Sequence, residues 1–278
     1  MKSQLIVVPI GGLCNRIRVV LSAFHLAPTL SLPVRVEWGR DRDCYAAFHE
    51  LFLPWERNNI FQLTDRPLWH HFNTRKNLHI PGILRSVTYQ RQISHFDPQR
   101  HGSLQEFIGQ RQRVYIATGY ALDDYPSPLI NRLRPIPQLE DTITQITSQF
   151  DEHTIGVHIR RTDHRPSISQ STDAAFIAAM EREIEQDHRT RFFLSTDEPQ
   201  LKEQLSKRFE GRILTQTTDA NRHTVKGIRE AVVDLYSLAA TQKILGSFYS
   251  SFSATAAEFR NIPLIVVGKS FPQTGSTI

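Results

Sequence analysis

The C-terminal half of the chain alternates short apolar runs with segments of helical periodicity, and this alternation restricts the possible folds more than any other feature. The apolar runs predict strands at 154–159, 192–195, 212–214, 243–248 and 264–267. The periodic segments predict helices at 173–188, 199–209, 228–241 and 254–259. Strands that alternate with helices form a parallel sheet that is covered on both faces.

The N-terminal half begins with the same alternation and then loses it. Strands are predicted at 4–8, 34–38 and 113–117, and a helix at 17–26. The segment 65–110 contains proline, histidine and arginine without a steady period, and we expect loops and short helices there. A second α/β unit is therefore predicted ahead of the first.

Four prolines between residues 126 and 137 favour a linker between two domains. A chain of 278 residues suits two domains. We predict an α/β domain at 1–137 and a Rossmann-like domain at 138–278. Such domains place ligands at the carboxyl ends of their strands, here in a cleft between them.

Charge is distributed unevenly. Residues 1–137 contain 17 lysines and arginines against 10 acidic residues, whereas residues 138–278 contain 16 against 18. Arginine accounts for 26 of the 33 basic residues, and it suits bidentate binding of phosphate or carboxylate. A basic half also occurs in nucleic-acid-binding proteins, but no Lys/Arg-rich run accompanies it. A solvated basic surface is favoured, and no nucleic-acid partner is expected.

The two cysteines, Cys14 and Cys44, provide no disulfide framework, which favours a reducing compartment and a cytoplasmic location. The apolar run before Cys14 is short and interrupted by Pro9, so a first strand is favoured over an export signal. No apolar stretch approaches the roughly 20 residues that a membrane span needs. At most peripheral membrane association is expected.

The segment from His158 to Asp163 holds the main candidate for chemistry. His158 and Arg160 share one face of the predicted strand, and Arg160 lies at its carboxyl end. A guanidinium there can bind a diphosphate through two parallel hydrogen bonds and stabilise the charge that grows on it as a leaving group. A strand exit with surface ion pairs explains the same residues equally well.

Three further polar sites follow predicted strands or interrupt helices. Asp197 lies in a turn that caps the next helix, and capping alone explains it. Asp234 lies within an apolar helix, where a carboxylate is costly unless it is paired; it can accept the two N–H groups of a guanine edge or pair with an arginine. The segment from Ser250 to Ser253 lies at a helix start, which suits a phosphate and also an ordinary cap.

A glycine corner follows the first strand. Gly11 and Gly12 allow a ligand to approach the backbone closely before Leu13, Cys14 and Asn15. The pattern is not GxGxxG, so no dinucleotide site is predicted.

The order of these motifs resembles that of the GDP-fucose fucosyltransferases, which include the α1,2-, α1,6- and protein O-fucosyltransferases. The resemblance rests on Gly-Gly-Leu-Cys-Asn-Arg early in the chain, His-Ile-Arg-Arg-Thr-Asp past the middle, then Ser-Thr-Asp-Glu, Asp-Leu-Tyr-Ser-Leu-Ala and Ser-Ser-Phe-Ser. The pattern Cys44, Phe48, Leu51 and Phe52 is similar to that of bacterial members. The resemblance implies two Rossmann-like domains (the GT-B architecture), an acceptor-side domain at 1–137 and a domain that binds the GDP-sugar at 138–278. It further implies an inverting transferase that needs neither metal nor cofactor, with GDP-fucose as donor and a glycan as acceptor.

The resemblance also implies roles for single residues. Arg160 and Asp163 are the expected catalytic residues, with Arg160 on the donor β-phosphate and Asp163 as one candidate base beside Asp43 and Asp124. The remaining donor contacts that it implies are Gly12, Leu13, Cys14, Asn15, His158, Asp197, Asp234, Ser250, Ser251 and Phe252. The family often has Gly-Asn-Gln where this chain has Cys14-Asn15-Arg16, which leaves the role of Arg16 open.

Several alternatives share these motifs. Asp41-Arg42-Asp43 is a DxD triplet of the kind that holds Mn²⁺ in metal-dependent transferases. The same donor pocket also serves a hydrolytic or non-catalytic nucleotide-sugar-binding protein. Twelve histidines show neither HExxH nor zinc spacing, so a zinc hydrolase is unsupported. The acceptor, its linkage, the donor sugar and the oligomeric state cannot be deduced from the sequence.

Overall fold

A computed structural model describes residues 3–55, 58–65, 80–161, 165–216 and 221–268. Its strands are β1 (Gln4–Pro9), β2 (Val34–Trp38), β3 (Phe61–Asp65), β4 (Arg91–Ser94), β5 (Arg113–Thr118), β6 (Thr154–Ile159), β7 (Arg191–Thr196), β8 (Ile213–Leu214), β9 (Ile244–Ser247) and β10 (Leu264–Val267). Its α-helices are α1 (Leu13–Leu26), α2 (Gly82–Thr88), α3 (Pro98–His101), α4 (Leu104–Ile108), α5 (Pro137–Thr147), α6 (Arg165–Gln170), α7 (Asp173–Gln186), α8 (Pro199–Arg208), α9 (Val225–Ala239) and α10 (Ser251–Arg260).

The chain forms two compact units. The first contains Met1–Leu139 and Asn221–Arg229, and the second contains Glu140–Ala220 and Glu230–Ile278. The first unit has a five-stranded sheet in the order β3-β2-β1-β5-β4, with every pair parallel. The second has the order β10-β9-β6-β7-β8, again with every pair parallel. The predicted α/β fold with two parallel sheets is confirmed.

The core of the second unit explains why its strands could be recognised. Strands that are covered on both faces are apolar along their whole length. Side chains of β6 and β7 pack here against α7 and α8; the core includes Val157, Ile159, Phe176, Met180, Phe192, Leu194, Leu201 and Leu205. Phe176 is fully buried, and truncation of such a ring to alanine costs about 3–5 kcal/mol.

Helix ends in the second unit follow ordinary capping chemistry. Thr172 caps α7, because its hydroxyl accepts a hydrogen bond of 3.3 Å from the Ala175 N–H. Glu198 caps α8 by accepting from the Gln200 N–H at 3.4 Å, and Pro199 occupies the first helical position. These caps fix where α7 and α8 begin.

The structure differs from the sequence predictions in two strands and three helix starts. β3 and β4 were not predicted; β4 has only four residues, all half-buried, and lies at a sheet edge. Helices α1, α9 and α10 begin at Leu13, Val225 and Ser251, each three or four residues before the predicted start. The earlier starts place both the glycine corner and the serine segment directly at helix N-termini.

Candidate functional site

The candidate site lies where the second sheet reverses its winding direction. From β6 the chain continues to β7 and β8 on one side, while β9 and β10 lie on the other side of β6. Loops that leave two adjacent parallel strands in opposite directions open a crevice at their carboxyl ends, which is the usual ligand position in such sheets. Ser195, His158 and Gly246 lie side by side in register across β7, β6 and β9 at this end.

His158 joins β6 to the start of α10. Its Nδ1 atom lies 2.8 Å from the Ser253 hydroxyl oxygen, and its ring stacks on Phe252 with centroids 4.7 Å apart. Burial lowers the pKa of His158 to about 4; the Arg160 charge acts in the same direction and Asp197 opposes it. The imidazole is therefore neutral at pH 7.

A glycine permits this contact. A Cβ atom on Gly246 would lie 2.7 Å from the Ser253 Cβ and 2.8 Å from its Oγ. Because real Cβ atoms do not approach other atoms so closely, only glycine lets α10 pack this near to β9. The close packing brings Ser253 within reach of His158.

Arg160 follows β6 directly and is held through its backbone. Its N–H donates a hydrogen bond of 3.0 Å to the Ser247 hydroxyl, and that hydroxyl donates to the His158 carbonyl at 3.3 Å. Ser247 ends β9, so the two strand ends that flank the crevice are tied together at this residue. The side chain of Arg160 is thus based at the carboxyl edge, as predicted.

Arg161 has a supporting role in the second unit. Its guanidinium pairs with Asp173 at 2.6 Å and donates to the Ser171 carbonyl at 2.8 Å. Ser171 in turn accepts a hydrogen bond of 2.7 Å from the Phe248 N–H and donates to the Val267 carbonyl. These contacts connect the ends of β6, β9 and β10, and they direct Arg161 at protein groups.

Asp197 binds the backbone that follows β6. Its Oδ1 atom accepts a hydrogen bond of 2.7 Å from the Arg161 N–H. The cap of the following helix is Glu198. The carboxylate of Asp197 therefore fixes the loop that presents Arg160.

The start of α10 lies beside His158. Ser250 is the N-cap residue, and its hydroxyl oxygen lies 3.5 Å from the His158 Nδ1. Ser251 and Phe252 form the first turn. Backbone N–H groups and the helix dipole favour an anion at such an end.

Asp234 is buried in α9 and paired within the unit. The Ser195 hydroxyl donates a hydrogen bond of 2.7 Å to its Oδ2, and the Gln216 amide donates to its Oδ1. Burial raises the pKa of Asp234 to about 6, although both hydrogen bonds act to lower it. A carboxylate oxygen can accept more than one hydrogen bond, so Asp234 retains capacity for further donors.

In the first unit, the glycine corner follows β1 at the position where that sheet also reverses direction, between β1 and β5. Gly11 has a φ of +82°, and Gly12 caps α1. A Cβ on Gly11 would lie 3.1 Å from the Asn15 Nδ2. The side chains of Leu13 and Cys14 are buried, so contact with a ligand would fall to their backbone and to the half-buried Asn15.

Arg16 connects two strand-end loops of the first unit. Its fully buried guanidinium donates to the Gly11 carbonyl at 2.7 Å, to the Gly39 carbonyl, and to the carboxylate of Asp41. The loops after β1 and β2 are therefore held by one side chain. This gives Arg16 a structural role, which the sequence had left open.

The DxD triplet takes part in the same arrangement. Oδ2 of Asp41 pairs with Arg16, and its Oδ1 accepts from the N–H groups of Asp43 and Cys44 at 2.8 and 3.1 Å. Asp43 lies beside Arg42 at 3.7 Å. Within the described ranges, no cluster of three His, Cys, Asp or Glu side chains is arranged to hold a metal ion.

The candidate bases lie apart in the chain. Asp163 falls at 162–164, outside the described residues. Asp124 is exposed in the loop after β5, and Asp43 is half-buried after β2. Their roles stay predictions.

Residues for which the sequence predicted no role complete the second-unit site. Ser195 and Gln216 bind Asp234, while Ser247 and Ser171 bind the strand ends. Ser195 and Ser247 each end or nearly end a strand, which was the available signal. Gln216 and Ser171 carry no local pattern that distinguishes them.

In the described part of the chain, no helix is long and apolar enough to cross a membrane.

Solved structures share this arrangement of two parallel sheets. The α1,6-fucosyltransferase NodZ, from Bradyrhizobium, soaked with GDP-fucose, is 17% identical over 95% of this chain and 95% of its own, with a TM-score of 0.62. A FUT1 variant of Arabidopsis thaliana in complex with GDP is 14% identical over 99% of this chain and 72% of its own, with a TM-score of 0.63. POFUT1 in its apo form is 9% identical over 97% and 99%, with a TM-score of 0.58.

No protein-family model and no curated protein matches the chain. At such low identities, the structural similarity shows the fold. The expected GT-B architecture of the fucosyltransferases is thereby confirmed as the fold of this chain.

Proposed function

We propose that this chain is a fucosyltransferase that moves fucose from GDP-fucose to a glycan acceptor, with inversion and without a metal ion. The observation that carries the proposal is the convergence of Arg160, His158 and the start of α10 on one crevice of a fold shared with fucosyltransferases. Donor binding by this edge follows from its chemistry, one group at a time.

The diphosphate is assigned to Arg160 and α10. A guanidinium can donate two parallel hydrogen bonds to phosphate oxygens. The α10 N-terminus adds backbone donors and a positive dipole end beside Ser250 and Ser251. His158 stays neutral at pH 7, so its ring can contact the donor without contributing a charge of its own.

The guanine base is assigned to Asp234. An ionised carboxylate accepts both N–H groups of the guanine edge, which adenine and the pyrimidines do not present. Ser195 and Gln216 hold the carboxylate in place while it retains further acceptor capacity. Asp197 supports the donor site through the Arg161 backbone.

Transfer is a single displacement at the anomeric carbon of fucose. An acceptor hydroxyl oxygen forms the new bond to this carbon from the face opposite the diphosphate, which inverts the configuration. The bond between the anomeric carbon and the β-phosphate oxygen breaks, and its electron pair remains on GDP, where Arg160 stabilises the charge. The hydroxyl proton passes to a carboxylate base, for which Asp163, Asp43 and Asp124 are the candidates.

Metal independence is supported by the state of the DxD triplet. Both carboxylate oxygens of Asp41 already accept hydrogen bonds from Arg16 and the backbone. To use Asp41 as a metal ligand would require breaking a buried ion pair, which is strongly unfavourable. Arg160 supplies positive charge at the diphosphate instead.

The first unit is assigned to the acceptor, with Gly12 to Asn15 contacting the donor. The basic excess of residues 1–137 favours an anionic glycan. Cys14 and Cys44 are both buried free thiols, which supports a cytoplasmic location.

The test is GDP-fucose turnover against a panel of bacterial surface oligosaccharides, with GDP-mannose as the control donor and with or without EDTA. We expect GDP release coupled to a fucosylated product, unchanged by EDTA. Free fucose without a glycan product would indicate a hydrolase, and donor binding without GDP release would indicate a non-catalytic binder. Activity that EDTA removes would favour the metal-dependent alternative.

A further inference from the structure

Tyr249 adopts a backbone conformation that is unusual for an aromatic residue. It lies between β9 and α10 with a φ of +56°, in the left-handed region. This conformation costs a residue with a side chain about 1–2 kcal/mol relative to the right-handed one. Strain of this kind persists only where the surrounding structure enforces it.

The neighbours of Tyr249 enforce the turn from both sides. The Phe248 N–H donates a hydrogen bond of 2.7 Å to the buried Ser171 hydroxyl. On the other side, the Ser250 carbonyl accepts a bond of 3.2 Å from the Ala254 N–H, which starts α10. The chain must therefore reverse between these two anchored residues, and Tyr249 occupies the reversal.

The side chain of Tyr249 is directed away from the core. It is 75% exposed, whereas its neighbour Ser250 is buried against His158. Glycine or asparagine would adopt the same φ at lower cost and would leave no aromatic surface in water. Strain and an exposed ring at one position together point to a ligand that uses the ring.

The order of groups along the sheet edge identifies which part of a ligand lies nearest to Tyr249. Asp234 bonds Ser195 on β7, Arg160 follows β6, and Tyr249 follows β9. These three strands are consecutive in the sheet and span about 10 Å. A nucleotide sugar with its base at Asp234 and its diphosphate at Arg160 thus extends toward β9 with its sugar.

We propose that the exposed ring of Tyr249 packs against the sugar of the nucleotide-sugar donor. A 6-deoxy sugar such as fucose presents a methyl group and C–H bonds that suit an aromatic face. The inference rests on the proposed function and deepens it, because it names a residue that contacts the sugar of the donor and not its nucleotide. Tyr249 then contributes to the binding of GDP-fucose and contributes little to that of GDP.

The experiment is isothermal titration calorimetry with GDP and with GDP-fucose on the wild type, Tyr249→Asn and Tyr249→Phe. Asparagine removes the ring and favours the left-handed conformation, so the fold and the phosphate-binding turn are retained. We expect Tyr249→Asn to weaken GDP-fucose binding about three- to tenfold and to leave GDP binding unchanged. Tyr249→Phe should bind both ligands as the wild type does.

Tyr45→Asn is the matched control, since Tyr45 is another exposed tyrosine, at 46%, and belongs to the first unit. It should change neither affinity. Equal effects of Tyr249→Asn on GDP and GDP-fucose, or no effect on either, would overturn the sugar contact while leaving the donor assignment intact. A wild type that binds neither ligand would overturn the proposed function itself.

Discussion

The Ser195 hydroxyl donates a hydrogen bond of 2.7 Å to the carboxylate of Asp234, and this bond joins the end of β7 to the interior of α9. The carboxylate is buried, and burial raises its pKa to about 6. At pH 7 the carboxylate is still mostly ionised, although its buried surroundings make ionisation harder than in water. The proposed guanine contact would use this ionised form.

The first prediction concerns the stability of the folded chain. Folding raises the pKa of Asp234 from 3.8 to about 6. The protonated carboxyl therefore makes its full contribution to the free energy of unfolding below pH 3.8, and this contribution is lost as the pH rises through 6. The loss amounts to about 3 kcal/mol. Asp234→Asn cannot ionise and should be more stable than the wild type at pH 7, but not at pH 4.

Urea unfolding of both proteins at several pH values measures this difference. The comparison is necessary because His158 acts in the opposite direction: its lowered pKa means that stability is lost as the pH falls from 6.5 toward 4. The difference between the two proteins removes this shared contribution. A difference that does not vary between pH 4 and pH 7 would contradict the buried ionisation of Asp234.

The second prediction concerns donor affinity. If the ionised form of Asp234 binds guanine, the affinity for GDP-fucose should fall about tenfold from pH 7 to pH 5 as this carboxylate becomes protonated. GDP-fucose is the suitable probe because its diphosphate is esterified at both ends and has no proton that titrates in this range. Calorimetry at the two pH values measures the change, and Asp234→Asn should bind weakly at both. A pH-independent affinity in the wild type would argue against Asp234 as the guanine contact.

The third prediction separates Asp41 from Asp43. Asp41→Asn removes one partner of a buried ion pair and should destabilise the chain by about 3–5 kcal/mol, because the Arg16 charge is left buried without its carboxylate. Asp43→Asn, two residues away and half-buried, should stay near wild type in stability, because the carboxylate that pairs with Arg16 is that of Asp41. Urea unfolding measures both effects, and an equal loss of stability in Asp43→Asn would contradict the assignment of the pair to Asp41. GDP-fucose turnover of Asp43→Asn separately tests Asp43 as a candidate base.

The fourth prediction concerns Arg160. Arg160→Lys keeps a positive charge but loses the paired donors, and turnover should fall by at least about 100-fold. The melting temperature should change little, since the backbone N–H that bonds Ser247 is retained. Arg189→Lys is the control at an exposed position of the same unit and should leave turnover unchanged. Substantial activity in Arg160→Lys would argue against a bidentate contact.

The central strands β6, β7 and β9 of the second unit were predictable because they are buried almost throughout and therefore largely apolar. Strands β3 and β4 were missed in the first unit, where β4 is short and polar in sequence (Arg91–Ser94). Helix starts were placed too late because the first turns mix apolar residues with polar or small ones, such as Asn15, Gly227 and Ser251. A short mixed turn shows no clear apolar period.

The positions of the motif residues at strand ends and helix starts could be predicted from the sequence, but most of their partners could not. Arg160 was placed at a strand end from the alternation of faces alone. The bond from Ser195 to Asp234 spans 39 positions and that from His158 to Ser253 spans 95. No local sequence period relates residues so far apart in the chain, so the partner of each polar group can be identified only in the folded structure.

The same reason explains why Arg16 was left open. Its partners, Gly39 and Asp41, lie on the next strand-end loop, and a local pattern gives no sign of the buried pair. The left-handed φ of Tyr249 was equally hidden, since tyrosine rarely adopts it.

The most direct test of the central claim, that this chain binds a guanine nucleotide sugar, is thermal unfolding with GDP, UDP or duplex DNA present. A ligand that binds only the folded state raises the melting temperature. At a ligand concentration of 100 times the dissociation constant, it adds about 2.7 kcal/mol to the free energy of unfolding. We predict a clear increase with GDP and none with UDP or DNA at physiological salt. No increase with GDP, together with an increase with UDP or DNA, would contradict the account.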